Sequence, residues 1–230
     1  MGKVDRRTKH PAEIQKHRWD ISPKEAIKIQ EKLRTRVVIA PLAVNNLRLV
    51  AGVDVGLPRG AKTVRAAIAV LDYRTMVLVD QAIAEIPVTF PYVPGLLSFR
   101  EMPVILAALK QLDCQPDVFI VDGHGYAHPR RFGLACHLGV WLDQATIGCG
   151  KSILIGRQDP LQNERGEVAF LKDGEDIIGA AVRTRDDVKP VYISIGHRTD
   201  LKSAISITLE CGRGTRLPEP IRWAHRLASS

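Results

Sequence analysis

Two short apolar segments, each ending in an aspartate with a glycine close behind it, constrain this chain more than any other feature. Residues 49–56 read LVAGVDVG and residues 117–123 read DVFIVDG. Alternate residues of a strand share a face, so Asp54 and Asp122 each lie with small or apolar neighbours near the carboxyl end of a predicted strand. If the two strands are parallel neighbours, both carboxylates meet at the sheet edge where α/β proteins bind ligands.

The pattern leaves two explanations of these aspartates open. Two close carboxylates ionise together at low cost only when a cation lies between them, which predicts a metal site. Aspartate near glycine also opens turns, and each side chain could simply cap the turn that follows its strand.

A third carboxylate, Glu101, also has two interpretations. Residues 98–101 read SFRE, which matches a capping box in which Ser98 begins a helix. Pro103 disfavours this start, because a proline beyond the first turn removes a helical hydrogen bond. The spacing favours a helix that begins at Pro103, which would place Glu101 just before its first turn with a free carboxylate. It does not decide between this interpretation and the capping box.

The order of predicted elements indicates a single α/β domain with a mixed sheet flanked by helices. Ser22, Pro23 and Glu25 predict a helix start. Residues 72–75 are a short link that predicts an antiparallel hairpin. The predicted strands are 47–55, 64–71, 76–83, 118–121, 153–155, 168–171 and 191–194, and the other predicted helices are 103–112, 132–142, 200–209 and 221–227. Residues 1–20 are predicted to form a polar, basic arm, and residues 21–230 to form the domain.

The net charge and the cysteine pattern indicate which partners and which cellular compartment are expected for this chain. The 230 residues carry 33 Lys and Arg against 25 Asp and Glu, a net charge of +8, and a basic surface favours nucleic acid. No apolar run approaches the roughly 20 residues of a membrane span, and the charged N-terminus indicates no secretory signal. Four cysteines without a CxxC pair are typical of reduced thiols, which predicts a cytoplasmic protein.

Two longer motifs resemble those of a known nuclease family. Residues 91–101, PYVPGLLSFRE, resemble the PYxPGxLxFRE signature of the endonuclease V family, and residues 121–135, VDGHGYAHPRRFGLA, resemble its DGxGxAHPRxxGxA block. Shorter matches lie at residues 52–54, 151, 196–198 and 217–222. The resemblance implies a ribonuclease-H-like fold. It also implies a metal-dependent DNA repair endonuclease that nicks at the second phosphodiester 3′ to deoxyinosine, leaving 3′-hydroxyl and 5′-phosphate ends.

The same resemblance implies roles for individual residues. Asp54, Glu101 and Asp122 resemble the metal-binding acids of the family, and Lys151 resembles the basic residue near the scissile phosphate. Tyr92 resembles the wedge residue that occupies the base stack when the damaged base leaves it. The residues expected around that extruded base are Gly95, Leu97, Gly125, His128 and Gly133.

The remaining expectations concern the metal and the DNA backbone. His225 matches a family histidine at the metal site by a looser alignment. Arg100, Arg130 and Arg131 are expected to contact phosphates. Hard carboxylate oxygens suit Mg²⁺, with Mn²⁺ as a substitute. The protein is expected to act as a monomer on inosine-containing DNA, away from any membrane.

Two positions depart from the family pattern, and two other functions compete with the one above. His124 stands where many members carry glutamine and Cys136 where many carry serine, which bears on the pocket and not on the acids. The first rival function is cleavage of inosine-containing RNA at the same site. The second is a non-catalytic nucleic-acid-binding module, which the retention of all three acids and Lys151 disfavours.

Overall fold

The computed structural model describes residues 17–56 and 62–229, which form one mixed sheet flanked by helices. The strands are β1 (Leu49–Gly56), β2 (Thr63–Asp72), β3 (Leu78–Pro87), β4 (Val118–Val121), β5 (Ala145–Gly150), β6 (Arg157–Gln158), β7 (Val168–Asp173), β8 (Asp176–Val182) and β9 (Val191–His197). The helices are α1 (Pro23–Arg34), α2 (Leu97–Leu109), α3 (Leu134–Leu142), α4 (Leu201–Glu210) and α5 (Glu219–Ser229). No helix in the described ranges has the length and apolar character that a membrane span requires.

The sheet brings the two aspartate strands side by side. Across the described strands the order is β3-β2-β1-β4-β5-β9-β8-β7-β6. β1 runs parallel to β4, and β4 runs parallel to β5. The register pairs Val53 with Val121, so Asp54 and Asp122 come next on neighbouring strands. The prediction that the two strands are parallel neighbours is therefore confirmed.

Apolar side chains pack on both faces of the sheet, and alternation along β1 decides which helices face the acids. Val50 packs in a buried cluster with residues of α4 and α5, whereas Val53 packs in a cluster with residues of α2 and α3. Asp54 is on the same side of β1 as Val50. Its carboxylate therefore faces α5.

Helix α1 begins as the sequence predicts. The Ser22 side chain accepts a hydrogen bond from the Glu25 amide, and the Glu25 carboxylate accepts one from the Ser22 amide, which completes a capping box. Ahead of it, residues 1–16 of the predicted arm lie outside the described residues. His17 and Trp19, from the last part of that arm, pack against the ring of Phe99 on α2.

Helix α2 begins earlier than the sequence predicts. It starts at Leu97 and contains Pro103, so Glu101 lies within the helix and not at its mouth, and Ser98 is not the capping residue. Pro103 removes the helical hydrogen bond to the Phe99 carbonyl. The helix continues through it because Phe99 and several residues on either side of the proline are buried in the core. Burial thus outweighs a local preference worth about 3 kcal/mol.

The sequence does not predict strands β5 and β8, which are rich in small residues, and it predicts a strand at residues 153–155 that does not form. Residues 153–155 do not form a strand, whereas the preceding β5, ATIGCG, is a fully buried strand. β8 has a similar composition, DIIGAAV. Alanine and glycine have low strand propensity, but here close neighbours require them. A Cβ at Gly148 would lie 2.5 Å from the Gly125 nitrogen, and one at Gly179 would lie 2.5 Å from the Ile193 carbonyl oxygen.

Candidate active site

Two glycines on β1 allow α5 to lie directly against the strand. A Cβ at Gly52 would lie 1.9 Å from the Pro220 carbonyl oxygen, and one at Gly56 would lie 2.9 Å from the Ala228 carbonyl oxygen. Both glycines share a face with Asp54, which lies between them. This close approach brings His225 of α5 to the strand, where its Nδ1 lies 2.7 Å from Asp54 Oδ2.

Asp54, Asp122 and His225 form a compact group of possible metal ligands at the carboxyl edge of the sheet. One ligand atom from each lies within 4.8 Å of the others. The Asp122 amide donates to the Val53 carbonyl (2.8 Å), which continues the β1–β4 ladder. Lys151, which follows the end of β5, forms an ion pair with Asp122. His225, which was matched to the family histidine by a looser alignment, therefore lies beside the two aspartates.

Glu101 is electrostatically coupled to this group. Burial, followed by the negative charges of Asp54 and Asp122, raises the pKa of Glu101 to about 8. Burial and the charge of Asp54 raise the pKa of Asp122 to about 6, although Lys151 opposes this shift. The negative charges of the three carboxylates therefore repel one another, although among the described residues the group of ligand atoms within 4.8 Å comprises Asp54, Asp122 and His225 without Glu101.

The donors in this group fit a hard divalent cation. Carboxylate oxygens from Asp54, Asp122 and Glu101 are ligands that Mg²⁺ and Mn²⁺ accept, and Mn²⁺ also accepts an imidazole such as that of His225. The raised pKa values show that the acids lack sufficient positive charge from the protein alone, although Lys151 supplies some. A bound cation would supply further positive charge and favour the ionised forms of Glu101 and Asp122.

A pocket of about 170 Å³ lies beside Tyr92. Tyr92 is in the loop between β3 and α2, residues 88–96, which we call the Tyr92 loop, and its side chain is 72% exposed. Four of the residues expected around an extruded base line the pocket, as does Tyr92: they are Gly95, Leu97, His128 and Gly133. Gly125 is not among the described residues that line it. Gly125 packs against β9 instead, where a Cβ would lie 2.0 Å from the Ile195 carbonyl oxygen.

His128 and Arg130 hold the Tyr92 loop. His128 Nε2 donates to the Gly95 carbonyl (3.1 Å), and its Nδ1 accepts from the Arg130 amide (3.1 Å). Burial, together with the charge of Arg130, lowers the pKa of His128 to about 4, so the ring is neutral near pH 7. The Arg130 guanidinium donates to the same Gly95 carbonyl through Nη2 (2.7 Å).

The other two arginines expected at phosphates differ from each other in their contacts. Arg131 donates to Asp173 (2.8 Å) and Asp176 (3.2 Å) at the turn between β7 and β8. Arg100 Nε is buried and has no hydrogen-bond partner among the described residues.

The two departures from the family motif lie in different places. His124 lines the pocket, and its ring lies over Gly150, where a Cβ would be 2.4 Å from the ring's Cε1. Cys136 is buried in α3, and its thiol faces the Ile195 carbonyl at 3.6 Å. Of the two, only His124 is among the pocket residues.

Gln30 is a buried pocket residue that the sequence does not single out. Gln30 of α1 lines the pocket and is 1% exposed. A signal for it does exist in the sequence, because Gln30 lies one helical turn from Ala26 and from Leu33 on the apolar stripe of α1. A polar residue on a buried stripe needs hydrogen-bond partners, which only the folded chain identifies.

Comparison with known proteins decides the family. The Endonuclease V family model matches residues 31–226. Endonuclease V of Gloeobacter violaceus is 50% identical over 216 residues, covering 93% of this chain and 87% of that protein. The chain belongs to the endonuclease V family.

Solved structures of the family share the fold. The crystal structure of endonuclease V from Streptomyces avermitilis has a TM-score of 0.88 at 44% identity, covering 92% of this chain and 93% of that one. Endonuclease V of Ciona intestinalis, solved with DNA containing an inosine followed by a ribo-adenosine, has a TM-score of 0.78 at 26% identity, covering 90% of this chain and 95% of that one. The ribonuclease-H-like fold and the family resemblance are therefore confirmed.

Proposed function

We propose that this protein is a DNA repair endonuclease that recognises deoxyinosine and nicks the damaged strand at the second phosphodiester on its 3′ side. One observation supports this most strongly: an acid cluster with a lysine lies at the same sheet edge as a small pocket flanked by an exposed tyrosine. A nuclease that acts beside an extruded base needs both parts. The cut would leave 3′-hydroxyl and 5′-phosphate ends.

The acids and Lys151 account for the chemical step in this proposal. Asp54, Glu101, Asp122 and His225 would hold Mg²⁺, or Mn²⁺ in its place. When bound, the cation would activate water near neutral pH and offset charge on the leaving oxygen. Lys151, already paired with Asp122, would offset negative charge on the phosphate as it develops.

Tyr92 and the pocket account for recognition. Extruding a base costs about a few kcal/mol, and an aromatic ring that enters the gap recovers about 1–3 kcal/mol of stacking. The Tyr92 side chain is exposed and therefore available for this role. Main-chain groups of Gly95 and Gly133 would approach the base closely because neither residue has a side chain.

Phosphate contacts complete the proposal. Arg100 is the candidate whose buried Nε has no hydrogen-bond partner within residues 17–56 and 62–229. Arg130 and Arg131 would contact phosphates with nitrogens that their protein partners leave free. We further propose that the enzyme acts as a monomer in the cytoplasm and that residues 21–230 form its single domain.

Inosine-containing RNA is the second candidate substrate. The Ciona intestinalis complex holds a strand in which a ribonucleotide follows the inosine, so a relative accommodates a 2′-hydroxyl at that position. Nicking rates on matched DNA, RNA and mixed oligonucleotides decide between the substrates.

The deciding experiment is a nicking assay on one duplex with a single inosine, in Mg²⁺, with the cut position mapped on both strands. The expected product is a single nick on the inosine strand. Asp122→Asn, which keeps the side-chain shape, serves as the matched inactive protein. Binding without nicking by the wild type in Mg²⁺ would support the non-catalytic module instead.

A further inference from the structure

The buried amide of Gln30 connects three segments that meet at the pocket. Its Nε2 donates to the carbonyl oxygens of Gly95 (3.0 Å) and Phe132 (3.1 Å). Its Oε1 accepts from Arg130 Nε (2.6 Å). Both N–H groups and the oxygen of this amide are therefore used within the protein.

The Gly95 carbonyl is one point of attachment of the Tyr92 loop, in addition to the buried side chains of Phe90 and Leu96. It accepts from Gln30 Nε2, His128 Nε2 and Arg130 Nη2, at distances of 2.7–3.1 Å. Gly95 itself has a φ of +77°, a conformation that side-chain-bearing residues rarely adopt. The donors thus fix an unusual backbone geometry three residues after Tyr92. Because the Tyr92 ring is exposed, the loop backbone and not side-chain packing sets where this ring points.

The second N–H of the same amide reaches the opposite side of the pocket. The Phe132 carbonyl precedes Gly133, which lines the pocket and whose Cβ would lie 2.3 Å from the His124 carbonyl oxygen. The peptide between Phe132 and Gly133 is therefore packed closely against the His124 backbone and has little room to move. The Gln30 amide therefore joins the Tyr92 loop to the Phe132 side of the pocket, beside the direct contacts that His128 and Arg130 make with Gly95.

We propose that Gln30 is a positioning residue that sets the preference for inosine-containing over undamaged DNA by holding the Tyr92 loop against the pocket. The proposal rests on the function proposed above. Gln30 acts through Gly95 and Phe132 and does not contact the reacting atoms, so it should affect recognition more than the chemical step.

Gln30→Met is the informative variant. Methionine keeps the length and approximate volume of glutamine and removes all of its hydrogen bonds. Gln30→Ala removes the volume as well, and Glu31→Ala, at the exposed neighbouring position on α1, is the matched control. If hydrogen bonding is the cause, Met and Ala should behave alike.

The first test measures the loop without DNA. Hydrogen exchange of the metal-free protein should become at least about fivefold faster for the amides of Val93 and of residues 95–97 in Gln30→Met, with strands β1 and β4 unchanged. Glu31→Ala should match the wild type. Unchanged exchange in residues 93–97 would overturn the positioning role, whatever the enzyme cleaves.

The second test measures recognition. In Ca²⁺, competitive binding of inosine and undamaged duplexes should show about tenfold lower preference for inosine in Gln30→Met, while the single-turnover nicking rate at saturating DNA in Mg²⁺ stays within about threefold. In a Tyr92→Ala background, Gln30→Met should change the preference less than about twofold, because the two residues act through one loop. Multiplicative effects of the two substitutions, or a wild-type preference in Gln30→Met, would refute the proposal.

The two proposals fail in different ways. If the wild-type protein neither prefers nor nicks the inosine duplex, the proposed function is refuted. If the wild type nicks this duplex normally and Gln30→Met behaves like the wild type in both tests, only the role of Gln30 is refuted.

Discussion

Replacing Glu101 with glutamine should stabilise the metal-free protein, and the gain should grow as the pH rises. Burial and the charges of Asp54 and Asp122 raise the pKa of Glu101 from its ordinary 4.5 to about 8. Between these values the folded protein binds more protons than the unfolded chain, so the free energy of unfolding of the wild type falls as the pH rises. Glutamine keeps the side-chain shape and has no proton to lose, so this decline is absent from the variant.

The size of the effect follows from the two pKa values. Each pH unit between them is worth about 1.4 kcal/mol, so the interval from 4.5 to about 8 gives an upper limit of about 5 kcal/mol. Asp122, whose pKa burial and Asp54 raise to about 6, keeps part of its proton over this range and relieves the repulsion on Glu101. We therefore expect the difference in the free energy of unfolding between Glu101→Gln and the wild type to increase by about 2 kcal/mol from about pH 5 to about pH 8.

Urea unfolding in a chelating buffer at several pH values measures this gain directly. Glu175→Gln, in the exposed turn between β7 and β8, removes an acid of the same kind outside the cluster and should show no such trend. Adding Mg²⁺ should stabilise the wild type by binding and the Glu101 variant by less.

A difference between Glu101→Gln and wild type that stays constant from about pH 5 to about pH 8 would refute the reasoning. It would mean that neither burial nor the charges of Asp54 and Asp122 disfavour a charge on Glu101. The assignment of Glu101 to the metal site would then lose its electrostatic basis.

Other perturbations test separate parts of the site. Asp122→Asn should abolish nicking with unchanged circular dichroism, because a metal-binding charge is lost while the shape remains; a rate within about tenfold of wild type contradicts the assignment. Tyr92→Ala should lower the binding preference for inosine duplex by about 1–3 kcal/mol and Tyr92→Phe by little, and the reverse order would mean that the hydroxyl group and not the ring matters. Ca²⁺ should support DNA binding in a gel shift without nicking, because it tolerates irregular coordination, and full nicking in EDTA would rule out metal catalysis. Gly52→Ala should lower the free energy of unfolding by about 1–3 kcal/mol in urea, because its Cβ would lie 1.9 Å from the Pro220 carbonyl oxygen; an unchanged midpoint would contradict the close packing of α5 on β1.

Local residue patterns were sufficient for the parts of the structure that local interactions dominate. The capping box of Ser22 and Glu25 and the hairpin of β2 and β3 depend on residues a few positions apart. The approach of Asp54 to Asp122 needed one step more, since apolar runs that end in aspartate indicate strands but not which strands are neighbours. The family motifs supplied the expected roles of these acids.

Elements whose local preference opposes their final structure could not be predicted in this way. The helix propensity of Pro103 is too low to predict the helix that contains it, and the strand propensities of the small residues in β5 and β8 are too low to predict those strands. In each case the deciding energy comes from residues distant in the sequence, through burial in the core or through close contact with neighbouring backbone.

The sequence by itself identified the candidate groups of the site: three acids, a lysine, a loop tyrosine and the glycines around them. Only the tertiary structure decided how residues distant in the sequence reach these groups. His225 reaches Asp54 because Gly52 admits α5 to the strand, and Gln30 reaches Gly95 across a separation of 65 residues. Such contacts have no local signature, because their geometry depends on how whole helices and strands pack and not on the residues beside them in the chain.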